Sequence, residues 1–210
     1  MKKNKKVVGI IDYGMGNIKS IENCLTYLKF NYKIISHPDE NFYSHIIIPG
    51  VGAFKKAINN LKKKKLFNFI IDHAKNKKTN TLGICLGMQL MTSSSDEDGY
   101  SKGLSFFSNK TKKLPPSKKL KFPHVGYNNI NIKKKSKIFN NIDDDSDFYF
   151  DHSFAVKISQ NNDISSTCYH SNEFVSSLEK DNIYGVQFHP EKSHMFGLRL
   201  LKNFSRICNV

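Results

Sequence analysis

The sequence predicts an α/β domain with a mostly parallel central sheet, helices on both faces and an antiparallel extension. Three observations predict it. Up to Leu86, short β-branched runs alternate with helix-periodic segments, an order that within one sheet demands parallel strands and covering helices. After Thr92 the apolar runs follow one another with no helix between them, as antiparallel strands do. A chain of 210 residues, 39% of them hydrophobic, is enough for one substantial core.

Taken in order, "VVGIID" (7–12) is a strand that ends at the turn Asp12-Tyr13-Gly14. In "NIKSIENCLTYLKF" (17–30), Ile18, Ile21, Leu25 and Leu28 share one helical face. Strands follow at "YKIISH" (32–37) and "HIIIPG" (45–50), then a lysine-rich helical region from about Ala53 to Lys75 and the strand "TLGICL" (81–86). Beyond a polar loop, "TSSSDEDGYSKG", and a Pro-rich stretch, "KLPPSKKLKFPHVGYN", further strands are expected at 147–156 and 164–170. A hairpin runs from "EFVSSLE" through Lys180-Asp181-Asn182 to "IYGVQFH", and a last helix at 194–208 places Leu198, Leu201 and Phe204 on one face. There is no internal repeat and no linker, so residues 1–210 are expected to form one domain, with residues 1–6 a mobile basic tag.

Composition narrows the function. No apolar run reaches the roughly 18 to 20 residues that span a bilayer, and a cytoplasmic protein without membrane contact is expected. Cys24, Cys85, Cys168 and Cys208 lie far apart, without metal-ligand spacing, so neither a disulfide framework nor a zinc site is supported and no metal or cofactor is expected. The net charge of +15 comes from dispersed lysine runs such as "KKNKK", "LKKKKL" and "IKKKSK". These lack the interleaved aromatics of a nucleic-acid platform, and no nucleic-acid partner is expected.

The chemistry is concentrated at strand ends, where open α/β sheets gather their sites. "GICLG" sets Cys85 between Gly83 and Gly87 where a strand meets a helix, the cysteine form of a nucleophile elbow. A thiol there meets a helix N-terminus that favours the thiolate, and the Leu86 N–H stands ready for an oxyanion. A buried free cysteine also serves as plain core filling, so the elbow alone leaves both readings open. "FHPEK" supplies a base: His189 and Glu191 are two apart in a segment that Pro190 biases toward extended geometry, which puts both side chains on one side. A carboxylate beside an imidazole fixes its tautomer and stabilises the imidazolium. Pro49-Gly50-Val51-Gly52 follows an apolar strand and frees backbone N–H groups at the same sheet edge.

Together "DYGMGN" (12–17), "PGVGAF" (49–54), "GICLGMQL" (83–90), "PHVGYN" (123–128), "YFDHSF" (149–154) and "GVQFHPEKS" (185–193) resemble, in order and spacing, the class I (triad) glutamine amidotransferases. Within them the match is to the glutaminase subunits of imidazole glycerol phosphate synthase, a histidine-biosynthesis enzyme. The resemblance spans from about Val7 to the last helix.

It implies a flavodoxin-like, three-layer α/β/α glutaminase domain in which Cys85 attacks the side-chain amide of L-glutamine, releasing ammonia and leaving a thioester that water hydrolyses. His189 is implied as base and then acid, oriented by Glu191. The oxyanion would be held by the Leu86 N–H and by a backbone N–H of the Gly50-Val51-Gly52 strand, which in this family is thought to rearrange before it donates. Gln89, Glu97 and the backbone at Ser153 and Phe154 match glutamine-binding positions. Ammonia would pass to a separate (β/α)8-barrel cyclase subunit in a heterodimer, faced by Asn17, Tyr127 and Lys192. This chain departs from the family at Tyr127, where Trp is usual, and at Phe154, where Tyr is common. Two rival readings stay open: a paralogous glutaminase that feeds another acceptor, such as a surface-polysaccharide sugar, and a cysteine hydrolase or peptidase, or a non-catalytic binding module, of the same fold.

Overall fold

In a computed structural model, which describes residues 6–117, 120–144, 146–160 and 162–208, the first half of the chain builds the parallel half of a sheet. Its strands are β1 (Val7–Ile11), β2 (Asn31–Ile35), β3 (His45–Ile48) and β4 (Asn80–Ile84), connected through α1 (Ile18–Tyr27), α2 (Phe54–Lys63) and α3 (Leu66–Lys75). A five-residue helix, α4 (Leu86–Leu90), follows β4 directly through Cys85. Residues 1–5 of the expected basic tag lie outside the described residues.

The antiparallel part comprises the short strands β5 (Ser94–Ser95) and β6 (Ser101–Lys102), then β7 (Lys110–Lys113), β8 (His124–Asn129), β9 (Asn131–Ile132), β10 (Asp147–His152), β11 (Phe154–Val156), β12 (Ile164–His170), β13 (Asn172–Lys180) and β14 (Ile183–Val186), before the last helix, α5 (His194–Arg206). The main sheet runs β2-β1-β3-β4-β14-β13-β11-β7-β5-β6, with β12 and β9 attached to β13. Pairing is parallel from β2 to β14 and antiparallel between β14, β13, β11 and β7. β14 is therefore where the expected extension joins the parallel sheet. β8 and β10 form a separate antiparallel ribbon.

Strand alternation feeds two cores, one on each face of the sheet. On β1 and β3, Ile10 and Ile47 face the core beneath α1 and α5, where Ile21, Leu25, Leu200, Leu201 and Phe204 are buried. Ile11, Ile46 and Ile48 face the other core, with Phe54, Leu61, Leu66 and Ile70 from α2 and α3 and Met88 and Leu90 from α4. This is the expected three-layer arrangement.

One expectation gains detail and three need correction. The helical region from Ala53 to Lys75 is two helices, broken where Lys65 takes a left-handed φ of 60°. Continuing the 3.6-residue period past the buried Leu61 would turn Lys64 or Lys65 into the core, and the break resets the phase so that Leu66 is buried instead. The single strand 147–156 is β10 and β11, divided at Ser153, because burial alternates at Phe148, Phe150 and His152 and then changes phase at Ala155 and Val156. On α5 the buried leucines are Leu200 and Leu201, while Leu198 is only half-buried. Finally, His189 is extended but Glu191 lies in a 3-10 turn, Pro190–Lys192. Proline restricts the residue before it to extended geometry and is itself well placed to begin a helical turn.

Candidate active site

Cys85 lies at the end of β4 with φ 52° and ψ −110°, a conformation rarely adopted by a residue with a Cβ. Its amide donates to the Val186 carbonyl of the neighbouring strand at 2.8 Å, while its own carbonyl accepts the Gln89 amide and so begins α4. This tight turn requires glycine at Gly87, where a Cβ would collide with the carbonyl oxygen of Ile48, and at Gly83, where one would lie 2.7 Å from the Gly87 backbone. The two glycines thus let β4, β3 and α4 meet closely enough to present the thiol at the sheet's edge.

His189 arrives from the adjacent strand. Its amide donates to the Tyr149 carbonyl at 2.8 Å, and its carbonyl accepts the Ser193 hydroxyl at 2.6 Å. Ser193 also accepts the Tyr149 amide, so β10 and the turn clamp the histidine backbone together. His189 Nδ1 lies 2.8 Å from Glu191 Oε1, and both side chains are only 2% exposed. Burial works against the imidazolium, yet the Cys85 sulfur beside the ring and the Glu191 carboxylate together hold His189 well above the usual histidine range. His189 Nε2 faces the Cys85 sulfur and has no other partner among the described residues.

Cys85 opens into a cavity of about 390 Å³ lined by Val51, Gly52, Ala53, Cys85, Leu86, Gln89, Glu97, Pro123, Asp151, His152, Ser153 and Phe154. The cavity brings together Cys85, Leu86, Gln89, Glu97, Val51, Gly52, Ser153 and Phe154, all selected from the sequence. Gly50 lies just behind it, where a Cβ would strike the Tyr13 hydroxyl and approach Leu86 Cβ to 2.9 Å. Glu97 is anchored rather than solvated: its Oε2 accepts the Phe54 amide at the start of α2 at 2.8 Å, and burial raises its carboxyl above the usual range.

Hydrogen bonding limits what some of these groups still offer. The Phe154 carbonyl accepts both Gln89 Nε2, at 2.8 Å, and His152 Nδ1, at 2.9 Å, which fills both lone pairs. The second Gln89 N–H goes to Gln187 Oε1 at 3.1 Å. Within the Gln89 amide, Oε1 is therefore the atom left to take a ligand's hydrogen bond. The Ser153 carbonyl accepts the Leu114 amide and keeps one lone pair.

The three residues assigned to a partner do not line the cavity. Asn17 precedes α1, which packs against the turn carrying Lys192. Tyr127, 48% exposed, donates its hydroxyl to the Lys192 carbonyl at 2.9 Å. Its ring lies parallel to His194, and Lys192 Nζ rests 5.1 Å from the Tyr149 ring centre. These residues surround the outer side of the His189 turn.

Besides Ala53, Pro123 and Asp151 in the cavity wall, three residues at the site were not picked out from the sequence. Tyr13, fully buried, donates to the Pro49 carbonyl at 2.7 Å. His152 connects the cavity wall to His124. Gln187 reaches the Cys85 sulfur. A signal for Gln187 was present, since it is a polar residue inside the apolar run "YGVQF", two before His189 and so on the same strand face.

Among the described residues, no group of three or more His, Cys, Asp or Glu side chains could hold a metal ion, and no helix is long and apolar enough to cross a membrane.

Comparison with known proteins agrees with this architecture. Two solved structures share the fold at a TM-score of 0.72. One is a putative GMP synthase subunit from Thermoplasma acidophilum, 19% identical and covering 96% of this chain and 93% of its own. The other is PurLQS from Thermotoga maritima, 15% identical and covering 95% and 97%. At the level of sequence, the chain is 45% identical over 199 residues to imidazole glycerol phosphate synthase subunit HisH 2 of Methanococcus maripaludis, covering 94% of this chain and 98% of that protein. It is 35% identical to subunit HisH of Leptospira borgpetersenii, over 96% of this chain and all of that one. The family described as "Glutamine amidotransferase class-I" matches residues 9–207, nearly the whole described chain. On that match and these relatives, this chain belongs to the class-I glutamine amidotransferase family.

Proposed function

We propose that this chain is the glutaminase subunit of imidazole glycerol phosphate synthase, hydrolysing L-glutamine and delivering the ammonia to a separate cyclase subunit. The observation that carries the proposal is the line Cys85, His189 and Glu191: a sulfur on a strained elbow, an imidazole beside it whose pKa is raised, and a buried carboxylate 2.8 Å from that imidazole. The names of the relatives support the pathway.

In this reading Cys85 Sγ attacks the glutamine side-chain carbonyl and its carbon–oxygen double bond opens to an oxyanion. Leu86 N–H and a backbone N–H from the Gly50-Val51-Gly52 strand stabilise that charge. His189 gives its Nε2 proton to the amide nitrogen as the C–N bond breaks, and ammonia leaves a thioester. Water then attacks the thioester as His189 takes its proton, the C–S bond breaks to release the acid, which ionises to glutamate, and the sulfur is left as thiolate beside the reprotonated His189 for the next turnover. Glu97 suits the substrate's ammonium group, and Gln89 Oε1 is an acceptor for the same group. Ser153 and Phe154 line another side of the pocket.

The partner is a (β/α)8-barrel cyclase bound over Asn17, Tyr127 and Lys192, in the cytoplasm. The isolated chain is expected to turn over slowly, with partner and nucleotide reorganising the Gly50–Gly52 strand. The test is glutamate release by the chain alone, with a histidine-pathway cyclase, and with cyclase plus its nucleotide ligand. Stimulation by the cyclase is expected, together with loss of at least about 1,000-fold in Cys85→Ala. Glutamate release without stimulation would keep the glutaminase and reassign the acceptor. No release under any condition would overturn the proposal.

A further inference from the structure

Gln187 is fully buried, one residue beyond the end of β14. β14 and β4 pair in parallel with Val186 opposite Ile84, so the next residues, Gln187 and Cys85, stand side by side at the sheet's edge. Strand alternation puts Gln187 and His189 on the same face. The sulfur thus receives two side chains from one strand extension. Gln187 Nε2 lies 3.6 Å from Cys85 Sγ, a normal separation for an N–H donor and sulfur.

The direction of that contact follows from the hydrogen bonds behind it. The Phe154 carbonyl can only accept, so the Gln89 atom 2.8 Å from it must be the amide nitrogen. The second N–H of that nitrogen faces the Gln187 side chain at 3.1 Å, which fixes oxygen at that end. The Gln187 NH2 is then aimed at the sulfur. A peptide carbonyl on β11 therefore sets, through two buried amides, which end of Gln187 the nucleophile sees.

We propose that Gln187 is a further residue of the reacting centre, whose amide N–H holds the Cys85 sulfur in line and stabilises its thiolate against the thiol. A donor to the charged form favours that form. The inference rests on the glutaminase reading above and adds a group to it. The other titratable groups that face the sulfur are His189, from the same strand extension, and Tyr13, from the end of β1. His189 supplies the opposite charge. Gln187 supplies a neutral dipole that does not titrate, so it keeps its orientation when His189 gives up its proton in the reaction.

The test is the pH profile of Cys85 alkylation by iodoacetamide in the full chain, followed by mass spectrometry of the Cys85 peptide, for wild type, Gln187→Glu and Gln187→Met. Gln187→Glu keeps the length, the planar end and the acceptor for Gln89, but places oxygen instead of N–H against the sulfur. Its alkylation midpoint is expected to rise by about one pH unit, and that of Gln187→Met by about half a unit. With the partner present, kcat in both is expected to fall by 10-fold or more, roughly, while KM for glutamine stays within about twofold. A midpoint in Gln187→Glu within about 0.2 units of wild type, or failure of that near-isosteric variant to fold, would overturn the proposal and leave Gln187 a structural link. Alkylation needs no turnover, so a wild type that alkylates normally but releases no glutamate would count against the glutaminase reading alone.

Discussion

The hydroxyl of Tyr13 donates a 2.7 Å hydrogen bond to the carbonyl oxygen of Pro49, tying the end of β1 to the first residue of the segment that supplies the candidate oxyanion N–H groups. The same hydroxyl occupies the space a side chain at Gly50 would need, and Leu86 closes the other side. Gly50 is thus wedged between Tyr13 and the elbow. Tyr13→Phe removes the donor and leaves a buried carbonyl unpaired, at a cost of about 1 to 3 kcal/mol. Because an oxyanion forms only in the reaction, loosening this segment is expected to lower kcat by roughly 10-fold with little change in KM. Steady-state kinetics with the partner checks this, and an unchanged kcat would separate Tyr13 from the oxyanion segment.

The conformation of Cys85 predicts an inversion of an ordinary rule. At most positions Ala is more stable than Gly, because Gly loses more backbone entropy on folding. At φ 52° and ψ −110°, however, a Cβ carries strain of about 1 to 3 kcal/mol. Cys85→Gly is therefore expected to unfold at higher urea than Cys85→Ala, by about 1 to 2 kcal/mol, although neither variant keeps the thiol. Equal or reversed midpoints would mean that the elbow is unstrained.

Much of this was legible in the sequence where a local pattern carried the information. The apolar runs in "HIII" and "VVGII" state a buried parallel strand without help from the rest of the chain, and the turn at Asp181-Asn182 states its hairpin. The elbow was legible because Gly83 and Gly87 answer a steric need created within a few residues of Cys85. What stayed hidden depends on distant partners. Ser153 gives no sign that β10 leaves the ribbon with β8 while β11 joins β7 and β13, because that choice is made by strands distant in sequence, as the pairing of Phe154 with Lys113, 41 residues before it, and of Val156 with Val175 shows. Gln187 is visible as a polar residue in an apolar run, but its role is not, since a glutamine's function rests on which end of its amide is a donor. That polarity is set by Gln89 and Phe154.

A line of neutral histidines predicts acid sensitivity. Asn128 Nδ2 donates to the Tyr169 carbonyl and to His124 Nε2, so the His124 proton sits on Nδ1 and is donated to His152 Nε2 at 3.1 Å. His152 in turn donates from Nδ1 to Phe154 O. Burial, with the neighbouring His170, lowers His124 to about 4, and burial, with His124, lowers His152 to about 3. Both folded values lie below the unfolded value of 6.5, so below that pH the unfolded chain binds more protons. The stabilisation is complete above about pH 6.5 and is lost as pH falls toward 4, each histidine contributing a slope of about 1.4 kcal/mol per pH unit. Urea unfolding between pH 7 and 4.5 should show this slope, and His124→Phe should flatten it. A slope identical in wild type and variant would refute the assignment.

Tyr127 makes the last prediction because its contacts are divided between this chain and open solvent. Its hydroxyl is held by the Lys192 carbonyl at 2.9 Å and lies 2.7 Å from His194 Nε2, while the Tyr149 ring meets it edge-on at 5.5 Å between centres. The side chain is thus fixed before any partner arrives, yet 48% of the residue remains exposed. A pre-positioned aromatic loses little side-chain entropy on binding, and such residues carry a large share of interface energy. Tyr127→Ala is expected to weaken association with the proposed cyclase partner by about 10-fold or more, whereas Tyr127→Trp, which keeps a broad ring over the Lys192 turn, should remain within about threefold. Calorimetric titration of each variant with the partner decides it. An unaltered affinity in Tyr127→Ala would move the docking face away from the His189 turn, and with it the shortest route by which a bound partner could act on the base.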